Sequence, residues 1–198
     1  MHARHDQALK SLVSAIAFRY SSFFKLRCGS VDCKDLFYGT LISQKMLDAM
    51  RKVPRHLFTP KQYRDQAYAD RPLPIGHDQT ISQPYIVALM TQLTRPQPHF
   101  RALDVGTGSG YQAAVLAELG VEVYSVEIIP ALARQAAERL EVLGYTNIHA
   151  RLGDGYHGWP EQAPFDLSDD AVDLHATVRR TKQELNTDSA SAHRVCRR

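Results

Sequence analysis

The chain has 198 residues, of which 44% are hydrophobic and 23% charged, and its formal net charge is +3. These values are typical of a soluble globular protein with one hydrophobic core. The charge is mild and the Lys and Arg residues are scattered, so nothing indicates a nucleic-acid partner. No apolar run approaches the roughly 20 residues that a membrane-spanning helix needs. We therefore expect neither nucleic-acid nor membrane binding.

Cysteine is scarce, with only Cys28, Cys33 and Cys196 in the chain. No second Cys or His pair follows at the spacing of a metal site, so no metal is predicted. The absence of a disulfide framework favours a reducing compartment, and we expect a cytoplasmic monomer. The short apolar stretch at 12–18 has no convincing cleavage site after it, which argues against a signal peptide.

The first part of the chain has little pattern before residue 41. Residues 1–40 form a separate segment of irregular texture, in which we predict one helix, over 7–18. From Leu41, apolar residues recur every three or four positions up to Val53, which predicts an amphipathic helix. Pro54 ends it.

A proline-rich stretch follows and leads to a second helix. Residues 54–83 predict an irregular loop that wraps around a core. Pro84 suits the first turn of a helix over 85–93, with Ser82 or Gln83 near its N-cap.

The segment from 101 to 152 alternates between two kinds of pattern. Short apolar strands and amphipathic helices follow one another in this order: strand 101–105, helix 111–119, strand 121–127, helix 131–143 and strand 147–152. Strands that alternate with helices pair in parallel, with right-handed crossovers. The pattern therefore predicts an α/β domain containing half of a doubly wound sheet.

A glycine-rich turn follows the first of these strands, with Asp104, Gly106, Gly108 and Gly110 at every second position. Glycine lets the backbone turn sharply and lets a ligand approach it closely, although a purely structural turn has the same composition. Tyr111 stands where a dinucleotide fingerprint has a small residue, which disfavours a nicotinamide-dependent oxidoreductase. No P-loop or nucleophile-elbow pattern is present.

Two carboxylates end the next two strands. Glu127 lies where an acid can accept hydrogen bonds from both ribose hydroxyls, the alternative being a solvated strand end. Asp154 precedes Gly155 and suits an adenine amino group, the alternative being an ordinary Asp-Gly turn. The glycine-rich turn, Glu127 and Asp154 follow three successive strands, and together they indicate an adenosine-like ligand.

Five strings carry a resemblance to a known family: MRKVPRHLF at 50–58, DRPLPIG at 70–76, QTISQPY at 79–85, LDVGTGSGY at 103–111, and GDGY at 153–156 followed by GWP at 158–160. Together they resemble the protein-L-isoaspartate O-methyltransferase family over residues 41–166. The glycine motif is common to methyltransferases, whereas the TISQP string is far more particular to this family.

The resemblance implies a Rossmann-like methyltransferase fold and methyl transfer from S-adenosyl-L-methionine to the α-carboxylate of L-isoaspartyl residues in damaged proteins. The ester then collapses to a succinimide, which can reopen correctly. By resemblance, Ser82 is the residue at the reaction centre. On the residues alone, Ser82 suits a helix N-cap equally well. The cofactor contacts of the family fall on Asp104, Gly106, Gly108, Gly110, Glu127, Asp154 and Gly155. His56 and His77 are interpreted as structural or surface residues.

After Asp166 the chain departs from the family pattern. Residues 167–198 contain no Gly, Pro or aromatic residue and predict a polar tail, with one helix around 171–185. This texture is typical of a truncated member or of an altered reading frame, and it predicts only about three parallel strands. A missing fourth strand would leave an unpaired sheet edge, with weak or absent activity and marginal stability. The alternative function is a catalytically inactive remnant that acts through cofactor or protein binding.

Overall fold

The computed structural model describes residues 42–170, which form an α/β domain. The helices are α1 (Gln44–Lys52), α2 (Pro84–Leu93), α3 (Tyr111–Glu118) and α4 (Pro130–Val142); the strands are β1 (Leu73–Gly76), β2 (Gln79–Ile81), β3 (Arg101–Val105), β4 (Glu122–Glu127), β5 (Ile148–Leu152) and β6 (Leu167–Asp170). The helices predicted over 7–18 and 171–185 and all three cysteines lie outside the described residues. No helix within residues 42–170 has both the length and the apolar character needed to span a membrane.

Helix α1 confirms the amphipathic pattern that begins at Leu41. Ser43 is its N-cap, and the hydroxyl of Ser43 accepts a hydrogen bond from the Met46 amide at 3.3 Å. Its buried face includes Leu47 and Met50. The helix ends before Pro54, because proline disfavours helical backbone in the residue that precedes it.

The segment predicted to be an irregular loop contains regular structure. It forms two 3-10 helices, Arg55–Leu57 and Lys61–Gln66, and then the antiparallel hairpin of β1 and β2. His77 and Asp78 turn the hairpin with φ values of 53° and 57°. Two left-handed residues are what a tight hairpin turn requires. The prediction of a loop is therefore wrong for these residues.

The main sheet has the strand order β5-β4-β3-β6 and is parallel throughout. The strands and helices predicted between 101 and 152 are confirmed to within one or two residues. Seven consecutive residues of α3, from Tyr111 to Ala117, are buried. Small apolar side chains allow this helix to pack closely against its neighbours, and α3 contacts both α1 and the sheet. The predicted α/β class is confirmed.

Strand β6 corrects the prediction of only three parallel strands. Residues 167–170 pair with β3, beginning with Ala102 opposite Leu167. The Leu167 side chain is only 2% exposed, and Asp166 exchanges two hydrogen bonds of 2.8 Å with the backbone of Arg101. A single buried leucine and a pair of backbone-directed bonds suffice for a short strand, although its sequence is polar. The edge of β3 is therefore paired.

Candidate functional site

The turn between β3 and α3 is built from three glycines in left-handed conformations. Gly106, Gly108 and Gly110 have φ values of 88°, 54° and 85°. The Gly106 amide donates to the Val126 carbonyl at 2.8 Å, which ties the turn to β4. Other residues are strained at such φ values, so this loop shape depends on glycine. The loop lies at the carboxyl edge of the sheet, where ligands bind in open α/β folds.

Glu127 holds this loop from the neighbouring strand end. It is 5% exposed, and its two carboxylate oxygens accept hydrogen bonds from the amides of Gly108 at 2.8 Å and Ile129 at 2.9 Å. A carboxylate has about four acceptor positions. Among the described residues two are used, so two remain for hydroxyl donors. The predicted ribose-binding acid is thus placed directly against the glycine loop.

Asp104 supports the loop from below. Its side chain is fully buried, and it accepts a hydrogen bond from the Ser125 hydroxyl at 2.6 Å. The hydroxyl of Ser125 lies 2.5 Å from that of Thr107, a loop residue. The chain from Asp104 through Ser125 to Thr107 therefore fixes the loop on β3 and β4.

Asp154 and Gly155 form the third strand end at this edge. Asp154 is exposed, and one of its oxygens accepts a hydrogen bond from the Tyr156 amide at 2.9 Å, as in an ordinary Asx turn. A Cβ at Gly155 would lie 2.3 Å from Cγ1 of Val105, so this turn packs tightly on the end of β3. The structure therefore brings the three predicted strand-end features together at one edge.

Ser82 lies between β2 and α2. The N-cap of α2 is Gln83, without a side-chain cap bond, so the N-cap interpretation of Ser82 is wrong. The capping acceptor is Asp70, which accepts from the Tyr85 amide at 3.0 Å. The hairpin before Ser82 reaches the glycine loop, since a Cβ at Gly108 would lie 3.4 Å from Cδ1 of Ile75.

The two histidines lie in the segment between α1 and α2. His56 pairs with the Tyr68 hydroxyl at 2.7 Å, and His77 belongs to the hairpin turn. Burial is the main cause that raises the pKa of Tyr68 to about 12. Tyr68 thus keeps its proton at neutral pH.

Two cavities border the described residues on this side of the molecule. One of about 110 Å³ lies beside the glycine loop and is lined in part by Ile75, Gly108 and Ser109. The larger, of about 480 Å³, lies between α4 and residues 57–64 and contains none of the predicted site residues. We assign the site to the strand edge, because the chemistry of its groups and not cavity size decides what binds there.

Ile128 is a candidate site residue that the sequence patterns did not single out. It follows Glu127 directly, and its side chain is 63% exposed. A large exposed apolar side chain next to Glu127 offers an apolar surface to a ligand at this edge of the sheet. The available signal was a bulky apolar residue just past the end of a strand, where the alternation of buried and exposed positions ceases to apply.

The chain matches the family model of protein-L-isoaspartate(D-aspartate) O-methyltransferase over residues 33–186, a wider range than 41–166. It is 57% identical over 143 residues to the protein-L-isoaspartate O-methyltransferase of Gloeobacter violaceus, covering 72% of this chain and 68% of that one. It is 62% identical over 133 residues to the enzyme of that name from Opitutus terrae, covering 67% and 57%. The chain spans between about half and two thirds of the length of the curated relatives it matches.

Solved structures show the same likeness. A protein-L-isoaspartate O-methyltransferase superposes with a TM-score of 0.60 at 32% identity, covering 68% of this chain and 44% of that one. A putative member from Plasmodium falciparum, solved with S-adenosyl-L-homocysteine, has a TM-score of 0.59 at 22% identity and covers 89% and 78%. This second likeness is one of fold.

Proposed function

Because the chain belongs to the protein-L-isoaspartate(D-aspartate) O-methyltransferase family, we propose that it transfers a methyl group from S-adenosyl-L-methionine to the α-carboxylate of L-isoaspartyl residues in damaged proteins. The observation that carries the proposal is the meeting of Glu127 with the glycine loop at Gly108. This arrangement places oxygens that can accept hydrogen bonds from ribose hydroxyls next to a backbone segment without side chains, as an adenosyl cofactor requires.

The residues at the strand edge fit this cofactor. Glu127 has acceptor capacity for two ribose hydroxyls, and the exposed Ile128 lies beside it. The loop from Gly106 to Gly110 presents backbone without side chains, and Asp104 holds it in shape through Ser125. Asp154 accepts one hydrogen bond within its own turn, and its exposed carboxylate suits an adenine amino group.

The chain has to position the acceptor and needs no base to activate it. The cofactor, when bound, supplies a methyl group on a sulfonium, which is a good leaving group. An α-carboxylate is already ionised at neutral pH. In this proposal Ser82 donates one hydrogen bond to that carboxylate and orients it for in-line attack.

The test is a methyl-transfer assay of the 198-residue chain with labelled cofactor. An isoaspartyl peptide should be methylated, whereas the matched aspartyl peptide should not. Calorimetric titration with S-adenosylhomocysteine measures cofactor binding separately. Binding without turnover would favour the non-catalytic alternative, and no binding would refute the proposed cofactor site.

We also propose a monomer that works in the cytoplasm on protein substrates and binds neither nucleic acid nor membranes. The support is the low cysteine content and the mild, scattered positive charge of the sequence. Sedimentation of the purified chain tests the monomer, and labelling in cells tests the compartment.

A further inference from the structure

Arg55 is a fully buried cation close to the proposed reaction centre. Its Nε donates a 2.8 Å hydrogen bond to the Ala67 carbonyl, and its Nη2 donates one of 2.8 Å to the Ser82 carbonyl. Burial lowers the pKa of Arg55. A buried charge is costly, and bonds to carbonyls reduce that cost. The bond to Ser82 ties Arg55 to the residue at the proposed reaction centre.

The same guanidinium also contacts the element that follows the glycine loop. Its central carbon lies 4.7 Å from the ring centroid of Tyr111, which is fully buried and opens α3 directly after Gly110. A planar guanidinium can stack on a ring and donate in its own plane at the same time, and a lysine ammonium cannot. One side chain therefore joins the Ser82 turn to the first residue after the glycine loop.

Asp70 binds the residues that follow Ser82. One oxygen accepts from the Tyr85 amide at 3.0 Å, and the other accepts from Nε2 of Gln83 at 3.0 Å. The residues after Ser82 are thus bound by Asp70, and the carbonyl of Ser82 itself is bound by Arg55. Two separate side chains therefore hold the backbone from Ser82 to Tyr85.

From this geometry we propose that Arg55 is a positioning residue for methyl transfer, which sets the placement of Ser82 relative to the glycine loop, with Asp70 as its second anchor. This inference rests on the proposed function, since it assigns Ser82 to the acceptor side. In-line transfer is sensitive to displacements of about 1 Å. A rigid link between the two halves of the site is therefore useful to the reaction.

The kinetic test uses Arg55→Lys in the 198-residue chain, which keeps the charge and loses the planar fork. We expect kcat for an isoaspartyl peptide to fall roughly 10- to 100-fold, while the Kd for S-adenosylhomocysteine changes by less than about threefold. The control is Arg51→Lys, at an exposed arginine that pairs with Asp48, and it should keep the kcat of the unmodified chain.

A double mutant separates positioning from a general structural role. Because Arg55 acts through Ser82, Arg55→Lys combined with Ser82→Ala should be no slower than Ser82→Ala alone. If the double mutant instead lowered kcat by the product of the two single-mutant factors, the proposal would be overturned. If Arg55→Lys does not fold, the variant Asp70→Asn replaces it, since Asp70 is only half-buried. Asparagine keeps one oxygen to accept the hydrogen bond from the Tyr85 amide and loses the oxygen that accepts from Gln83.

Hydrogen exchange keeps the two proposals distinguishable. In Arg55→Lys or Asp70→Asn, amides of residues 79–86 should exchange roughly tenfold faster, with β4 unchanged. Absence of turnover in the unmodified chain would refute the proposed function. The hydrogen-exchange rates of residues 79–86 would then test by themselves whether Arg55 and Asp70 anchor the Ser82 turn. Equal exchange rates of residues 79–86 in the variants and the unmodified chain would overturn this anchoring role.

Discussion

Replacing Glu127 with glutamine tests the centre of the proposed cofactor site. The carboxylate accepts hydrogen bonds from the amides of Gly108 and Ile129 and can accept two more from ribose hydroxyls. Glutamine has the same shape, but its amide nitrogen cannot accept a hydrogen bond. The substitution therefore removes one loop bond and one ribose bond, together with the charge that strengthens the rest.

The effect on cofactor binding follows from the ribose bond alone, because the loop bond is present with or without the ligand. Hydrogen bonds to a charged group contribute about 1.5 kcal/mol each at the lower end of their range. Losing the ribose bond costs about 1.5 kcal/mol of binding free energy, which corresponds to roughly a tenfold increase in the Kd for S-adenosylhomocysteine. The free energy of unfolding should also fall, since the loop bond to Gly108 exists without a ligand.

Calorimetric titration at a temperature well below the thermal transition measures the Kd. The control is Glu122→Gln at the other end of β4, where the side chain is 40% exposed and pairs with His149. This variant should bind as tightly as the unmodified chain. An unchanged Kd in Glu127→Gln, with circular dichroism showing a folded protein, would refute the assignment of Glu127 to the ribose.

Three further predictions concern the fold around the site. Leu167→Ala should lower the free energy of unfolding by about 2–5 kcal/mol in urea titrations, because the side chain is buried. The control Leu152→Ala, at a side chain that is 56% exposed, should change it by less than about 0.5 kcal/mol. Equal effects of the two substitutions would contradict the pairing of β6. Gly155→Ala should cost about 1–3 kcal/mol in the same titration, because the new Cβ would lie 2.3 Å from Val105, and a neutral substitution would contradict this packing. Burial raises the pKa of Tyr68 to about 12, above its usual value of 10, so unfolding releases its proton more readily and stability should fall between about pH 10 and 12. Thermal melts should show a smaller fall in Tyr68→Phe, and an identical pH dependence would contradict the raised pKa.

The elements from 101 to 152 could be predicted because their patterns are local. Alternating strands and amphipathic helices, with glycines at their ends, indicate a parallel sheet without knowledge of distant contacts. The acid at Glu127 could be assigned in the same way, since parallel strands place their carboxyl ends at one edge. The sequence patterns do not single out Ile128, because one exposed residue past a strand carries no periodic signal.

The hairpin and β6 show where local patterns are insufficient. Pro74 argues against a strand in isolation, yet it is tolerated in a two-stranded ribbon. Residues 167–170 are too polar to predict a strand, and they pair as one because the edge of β3 is open to them. Strand pairing of this kind depends on what the rest of the sheet leaves available.

The sequence by itself determined the α/β class, the glycine loop, the acid at the end of β4 and the family strings, because each is encoded within a few neighbouring residues. The tertiary structure decided which residues support them. Arg55 binds Ser82 across 27 positions, and Asp70 caps α2 across 15. Such contacts form only when the packed core brings distant segments together, so no periodicity along the chain records them.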